Sequence, residues 1–374
     1  MPARPLVGSA QMGPGNGSQE PMKALLTVVI CTNRPAKYLQ GTLEALHRQT
    51  ARGQLEIVVV DDGAPEPLRP LCDNYGANLL RHEHNRGLAA ARNTGWRAAT
   101  APIVAFTDDD CRPQRGWAAA LLGAYEDERV EAVGGSVVPT GRQSLLGRYY
   151  VYNNPIAPLE AEIAQSSSIA YRAKLYLRAN LTIGTRTAKR EVASLPGASM
   201  SVRRVTLERL GGFDEQIRFG GEDEDLFFRL RSALPDAKVI FDPSAVTEHD
   251  FDAGLGDALR RARSYGRGCA RNFLRHDDWG PTVFPLPLLV LALVAAGLRC
   301  PRLLLAALAL PPLAFLRWSR LAARLGRPDA VVFAYVQLLQ EGAADLGFAQ
   351  GYLRFRKDFH RERLAKERAE SASL

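Results

Sequence analysis

The sequence predicts an α/β fold with a mostly parallel central sheet and flanking helices, followed by a helical region of different character. Three observations carry this. Apolar, β-rich runs alternate with stretches whose apolar residues recur at helical spacing, the pattern of βαβ units. Three of those runs end in polar or acidic residues. The last third then changes to charge-free apolar runs flanked by arginines. The resulting division is a leader at 1–23, an α/β unit at 24–255 and a helical region at 256–374.

The first ~22 residues are rich in Gly, Pro, Ser and Gln and lack the apolar centre of a signal peptide, so a disordered leader is expected. Leu25-Leu26-Thr27-Val28-Val29-Ile30 reads as a buried strand, Cys31-Thr32-Asn33-Arg34-Pro35 as a turn, and Ala36, Leu39, Leu43 and Leu46 as a helix face. Ile57-Val58-Val59-Val60 is a second strand closing on Asp61-Asp62-Gly63. A helical stretch through Leu68, Leu71 and Tyr75 follows, then a short apolar piece at Leu79-Leu80. Asn85-Arg86-Gly87 opens a helix over residues 88–96. Ile103-Val104-Ala105-Phe106-Thr107 is the next strand, ending in Asp108-Asp109-Asp110. Beyond Trp117, a helix to Tyr125 and a strand at 130–138 are expected, with Gly134-Gly135 as a bulge or close backbone approach. Residues 141–196 are less regular and are expected to shape a second substrate's pocket.

In parallel sheets, ligands bind beyond the carboxyl ends of the strands. Thr32-Asn33, Asp61-Asp62 and Asp108-Asp109-Asp110 are therefore expected on one edge. Adjacent carboxylates are costly to crowd together unless something positive lies among them, and a divalent metal is the simplest candidate. Alternate residues of an extended chain point the same way, so Asp108 and Asp110 share a site while Asp109 faces elsewhere. Read alone, the same run is a solvated acidic turn. Asp61 or Asp62 suits a base or ribose, or alternatively a helix cap. Arg86 and Arg92 flank a helix start and suit a phosphate, or alternatively the surface. No G-x-G-x-x-G follows the first strand and no Walker A loop is present, which argues against a dinucleotide or P-loop site.

A second informative stretch runs from Pro196-Gly197-Ala198 through Gly211-Gly212-Phe213-Asp214-Glu215 to Gly220-Gly221-Glu222-Asp223-Glu224-Asp225. Acids in a first helical turn are ordinary dipole partners. Paired glycines on both sides bring backbone and carboxylates close to a ligand, where a carboxylate can serve as a general base.

The order Thr32, Val60-Asp61-Asp62-Gly63, Asn85-Arg86-Gly87, Ala91-Arg92-Asn93-Thr94-Gly95, Thr107-Asp108-Asp109-Asp110, Gly211-Gly212-Phe213-Asp214-Glu215, Gly221-Glu222-Asp223 and Arg229-Leu230 resembles a family 2 glycosyltransferase of GT-A fold, of the membrane-associated bacterial type. The match spans about residues 25–250. The resemblance implies that Thr32, Asn33, Asp61 or Asp62, Arg86, Arg92, Asp108 and Asp109 face a nucleoside-diphosphate sugar. It also implies that Asp110, with Asp108, binds Mg²⁺ or Mn²⁺, and that Asp223 is the base with Glu222 beside it. His249, after the strand Val239-Ile240-Phe241, matches a histidine that some members place on the metal or diphosphate; a structural role is the alternative.

The formal net charge is +8. Residues 1–250 hold 29 basic and 29 acidic side chains, and 251–374 hold 19 and 11, so the whole excess lies in the last third. That asymmetry suits an anionic membrane surface and not nucleic acid. Arg260, Arg261, Arg263, Arg267, Arg271 and Arg275 precede charge-free runs of 18 residues at 281–298 and 14 at 303–316. A bilayer-spanning helix needs about 20, so a hairpin, a single span or an interfacial helix pair all remain open. A further membrane-adjacent helix is expected at 331–356, with a charged tail from Lys357. The five scattered cysteines form no C-x-x-C and read as reduced thiols.

The leading expectation is an inverting, metal-dependent glycosyltransferase at the cytoplasmic face of a membrane, acting on a lipid-linked or cell-envelope glycan acceptor. The alternatives are a sugar-phosphate nucleotidyltransferase and a non-catalytic membrane scaffold of the same fold.

Overall fold

This computed structural model describes residues 24–140, 143–182, 188–218, 220–251, 254–276 and 284–372, with side chains through residue 359. The expected leader lies outside the described residues. The elements run β1 (Leu26–Thr32), α1 (Ala36–His47), β2 (Leu55–Asp61), α2 (Arg69–Tyr75), β3 (Asn78–Arg81), α3 (Leu88–Arg97), β4 (Ile103–Asp108) and β5 (Cys111–Pro113). They continue with α4 (Trp117–Leu122), β6 (Val130–Pro139), α5 (Leu145–Tyr152), β7 (Leu159–Glu160), α6 (Ile169–Leu181), β8 (Arg190–Ser194) and β9 (Ser199–Arg203). The rest are α7 (Arg204–Leu210), α8 (Glu222–Ala233), β10 (Lys238–His249), α9 (Leu255–His276), α10 (Pro285–Gly297), α11 (Arg302–Ala314), α12 (Leu316–Leu325) and α13 (Phe333–Ala372).

Strands β1, β2 and β4 read as unbroken apolar runs because both faces of the sheet are covered. Leu26, Val28 and Ile30 pack with Leu39, Leu43 and Trp117 on one face. Val29, Val58 and Val60 pack with Ala91, Trp96, Leu226 and Phe227 on the other. The strand order is β3-β2-β1-β4-β9-β6-β10-β8-β7, with β5 on β10. The first four strands are parallel.

The sheet as a whole is mixed: most of the described strands run in the direction of β1, as expected, while β9 inserts antiparallel between β4 and β6. The cause is where β9 begins. Ser199 pairs with Thr107 at the carboxyl end of β4, so β9 must run away from that edge. The loop 196–198 is thereby left at the functional edge. Gly134 and Gly135 are close approaches, as expected. A Cβ on Gly135 would overlap the Ala245 carbonyl, where β10 bulges between Asp242 and Val246.

The C-terminal helices share a third core with the α/β unit, in which Tyr149, Tyr150 and Phe251 pack against Leu286, Trp318 and Phe333. Helices α9 and α13 cross closely because Gly266 lies against the Ala344 carbonyl and Gly347 against that of Arg263. Within the apolar runs expected at 281–298 and 303–316, residues 285–297 form α10 and 303–314 lie in α11, while 281–283 lie outside the described residues. No single described helix is long and apolar enough to cross a membrane; α11 and α12 pass together only as a pair bent by 69°. Leu288, Leu291, Leu305, Leu308 and Leu313 are all exposed on α10 and α11. The basic stretch on α9 is partly consumed within the fold. Arg271 meets Asp214 at 2.8 Å, and Arg275 pairs with Asp214 and lies 3.4 Å from Asp225.

Candidate active site

Parallel register builds the edge. Thr32 pairs with Asp61, and Cys31 with Asp108, so the ends of β1, β2 and β4 lie side by side. His249, the last residue of β10, pairs with Cys111 on β5, which brings the histidine to the acidic turn. A cleft of about 340 Å³ opens there, lined by Arg92, Asp108, Gly197, Glu222, Asp223 and Tyr265 among others. The end of β4 and the start of α8, more than a hundred residues apart, thus face one space.

The three aspartates divide at the end of β4 and in the turn that follows it. Asp109 is buried and turned away; Thr32 donates to its Oδ2 at 2.5 Å, and Arg34 forms an ion pair with it. Asp110 meets Arg34 at 3.0 Å and His249 Nε2 at 3.4 Å. Asp108 faces Arg92 at 3.6 Å. Burial holds the Asp108 carboxyl above the usual range, against the pull of Arg92; the Asp110 charge adds to the rise. Arg34, which the sequence shows only as a turn residue after β1, is therefore the first of the positive groups among the acids.

The remaining sequence candidates fall into two groups. Asp62 is fully engaged, accepting from His82 Nδ1 at 2.7 Å and from the N–H groups of Arg86 and Gly87 at 2.8 and 2.9 Å. It fixes the loop that opens α3. Asp61 Oδ1 accepts from Ala64 N–H at 2.7 Å, whereas its Oδ2 has no hydrogen bond and lies 3.5 Å from Arg81. Asn33 is exposed beyond β1. The Arg86 side chain points outward to Glu215 at 3.3 Å.

Helix α3 ties the two halves together. Arg92 is 4% exposed, donates to Glu222 Oε1 at 2.6 Å and faces Asp108 on its other side. Burial disfavours its charge, but Glu222 and Asp108 outweigh that and hold the guanidinium protonated. This placement differs from that of a guanidinium free to take a phosphate, because Arg92 already neutralises a carboxylate from each half. Gly197 is its necessary neighbour, since a Cβ there would collide with the guanidinium. Asn93 accepts from Phe213 N–H and donates to Glu215, both at 2.9 Å, so the two motifs containing these residues meet directly. Arg229 closes the same loop by donating to the carbonyls of Leu210 and Gly212 at 2.8 Å and to Asp225 at 2.8 Å.

At α8, Gly220 and Gly221 have φ of 86° and 93°, left-handed values that other residues rarely adopt. They turn the chain so that Glu222 and Asp223 enter the first helical turn facing the cleft. Asp223 accepts from the N–H groups of Gly197 and Glu224, each at 2.9 Å. Burial pushes Glu224 up to about 7, with the Asp223 charge adding to the rise. Glu222 is also raised by burial, though Arg92 opposes it. Glu224 and Tyr265 line the cleft without having stood out in the sequence. Glu224 was hidden among four consecutive acids, and Tyr265 lies on a distant helix.

Asp108, Asp110, Cys111 and His249 offer donor atoms within 4.8 Å of one another. Asp110 Oδ1 and His249 Nδ1 are buried without hydrogen-bond partners. Two carboxylates and an imidazole suit a hard divalent ion such as Mg²⁺ or Mn²⁺. The Cys111 thiol does not, because burial and the neighbouring acids keep it protonated. The residues present therefore fit such an ion through Asp108, Asp110 and His249.

The sequence profile of Glycosyl transferase family 2 matches residues 27–191. A pre-mycofactocin glycosyltransferase of Mycobacterium tuberculosis is 35% identical over 261 residues, covering 68% of this chain and 48% of that protein, so the chain spans about half of that relative's length. Glycosyltransferase AglE of Haloferax volcanii is 25% identical over 249 residues, covering 65% of this chain and 72% of that protein. Among solved structures, the mannosyltransferase PcManGT from Pyrobaculum calidifontis, in complex with GDP-Man and Mn²⁺, superposes with a TM-score of 0.53 at 21% identity, covering 89% and 88% of the two chains. Residues 27–191 are a family 2 glycosyltransferase domain, built on a GT-A fold.

Proposed function

We infer that this chain transfers a sugar from a nucleoside-diphosphate sugar to an acceptor hydroxyl, with inversion, in a single displacement. The observation that carries the reading is the one cleft lined by both Asp108 and Asp223. On this reading Asp108 marks the donor end of the cleft and Asp223 its acceptor end. Asp61 Oδ2, which has no hydrogen bond and lies 3.5 Å from Arg81, is assigned to the base or ribose. Asp108, Asp110 and His249 would hold Mg²⁺ or Mn²⁺, whose charge stabilises the leaving diphosphate. Arg92 keeps Asp108 and Glu222 compatible in a confined space, and Arg34 does the same for Asp109 and Asp110. Asp223 takes the proton from the attacking hydroxyl, held for that task by the two N–H groups that position its carboxylate. Both relatives named above are glycosyltransferases, and the superposed mannosyltransferase binds GDP-Man with Mn²⁺.

The acceptor is assigned to a membrane-borne or cell-envelope glycan class, with the catalytic domain on the cytoplasmic face. The exposed leucines of α10 and α11 support this, since apolar surface of that extent is seldom left in water. Apolar helices of 13 residues are too short to span a bilayer and suit a re-entrant or interfacial placement. The direct test incubates the purified full chain with a panel of nucleotide sugars and Mn²⁺ and reads donor hydrolysis and thermal stabilisation. One donor is expected to stabilise the protein and release its nucleoside diphosphate. No response to any donor contradicts the assignment.

A further inference from the structure

A second cavity, of about 340 Å³, lies between the α/β unit and the C-terminal helices. Its walls include Tyr149 and Tyr150 from α5, Tyr176 from α6, and Arg261, Arg317 and Glu341 from the C-terminal helices. Pro155 and Tyr265 line both this cavity and the catalytic cleft, so the two spaces adjoin at those side chains. A stack of rings joins them from another side. His249 lies against Phe251 at 4.4 Å between ring centres, and Phe251 against Tyr150 at 5.2 Å.

The charge of this cavity is unbalanced. Arg317 donates to Asn153 and Gln337 at 2.6 and 2.8 Å, its Nε is enclosed without a hydrogen-bond partner, and no carboxylate lies within 4 Å of it among the described residues. Arg261 faces the Phe251 ring at 5.5 Å and likewise meets no described carboxylate. The one acid among the described wall residues, Glu341, accepts from Tyr176 and Gln337 at 2.8 and 2.7 Å. Burial pushes it up to about 7, so it offers at most a fractional negative charge near neutral pH. Two guanidiniums set among aromatic rings favour a ligand with an anionic group on a ring-sized apolar body.

Resting on the glycosyl-transfer reading, we propose that this cavity holds the acceptor through a carboxylate or phosphate on Arg317 and Arg261. The acceptor's apolar part lies among the tyrosines, and its hydroxyl passes Tyr265 toward Asp223. The cavity thereby selects an anionic acceptor.

Calorimetry on the full chain near neutral pH tests this with three probes: 4-(hydroxymethyl)benzoate, 4-(hydroxymethyl)phenyl phosphate and neutral benzyl alcohol. At least one anion is expected to bind about tenfold or more tightly than benzyl alcohol, the difference expected for a charge-assisted contact. Which anion binds separates the carboxylate class from the phosphate class. Arg317→Gln is expected to remove that preference. Because Arg317 also holds Asn153 and Gln337, Ala179→Trp serves as a second variant. Ala179 is exposed on the cavity rim, and the larger side chain should block anion binding without touching the core. Equal binding of all three probes, no binding of either anion, or anion binding unchanged in Ala179→Trp overturns the proposal. Titration of GDP and UDP with Mn²⁺ on the same wild-type sample separates the two readings. Nucleotide binding without anion binding defeats this cavity alone, and anion binding without nucleotide binding defeats the glycosyl-transfer reading.

Discussion

Individual carboxylates in this fold differ by what surrounds them. Asp62 and Asp109 spend both oxygens on their own chain. Asp110 and Asp61 each keep a buried oxygen without a hydrogen bond. That contrast, and not the acidic sequence itself, supports the proposed assignment of Asp110 and Asp61 to a bound ligand. Glu341 shows the cost of burial in its simplest form. Burial raises it from 4.5 to about 7, so the folded state binds its proton more tightly than the unfolded chain. The stability tied to that proton is full below pH 4.5 and is lost as pH rises through about 7. Glu341→Gln is therefore expected to exceed the wild type by about 1–3 kcal/mol at about pH 8 and to match it near pH 4.5. Thermal denaturation at both pH values checks this, and a gap independent of pH contradicts it.

At the scale of elements, α3 is the hub. Arg92 reaches both carboxylate groups, Asn93 holds the Gly211-Gly212-Phe213 loop, and Thr94 meets His82 at 2.9 Å. The pairing of β6 with β10 depends on a missing side chain. Gly135→Ala would press a methyl into the Ala245 carbonyl and is expected to cost about 1–3 kcal/mol. An unchanged urea midpoint would count against that packing. Strands β1, β2 and β4 were legible because their apolar runs end in polar residues at the same edge. The antiparallel β9 was not, since Ser199-Met200-Ser201-Val202 has the same alternation in either direction and only its pairing to β4 fixes the sense. Arg34 was legible as a turn and not as the partner of Asp109 and Asp110, because that ion pair joins positions 75 residues apart. Tyr265 escaped notice for the same reason, as its neighbours come from tertiary packing.

For the whole molecule, the third core makes the C-terminal helices part of the catalytic body. Tyr149 packs on Trp318 and Phe333 at 5.4 and 5.7 Å, and Arg148 meets Asp329 at 3.0 Å. The apolar helices α10 and α11 and the cleft are thus held on one scaffold, which the proposed membrane-borne acceptor would require. Vesicles containing about a third anionic lipid are expected to bind the full chain, and Leu291→Glu with Leu305→Glu to weaken that binding at least tenfold. Equal sedimentation of both forms would contradict the interfacial placement. The two-ended cleft itself is tested most directly by comparing Asp110→Asn with Asp223→Asn for Mn²⁺-dependent nucleoside-diphosphate binding and for sugar transfer. Asp110→Asn should lose the Mn²⁺ dependence of binding. Asp223→Asn should bind as the wild type does while transfer falls by about 10²–10⁴-fold. Nucleotide binding lost in Asp223→Asn, or Mn²⁺ dependence retained in Asp110→Asn, would contradict the division of the cleft into a diphosphate end and a base.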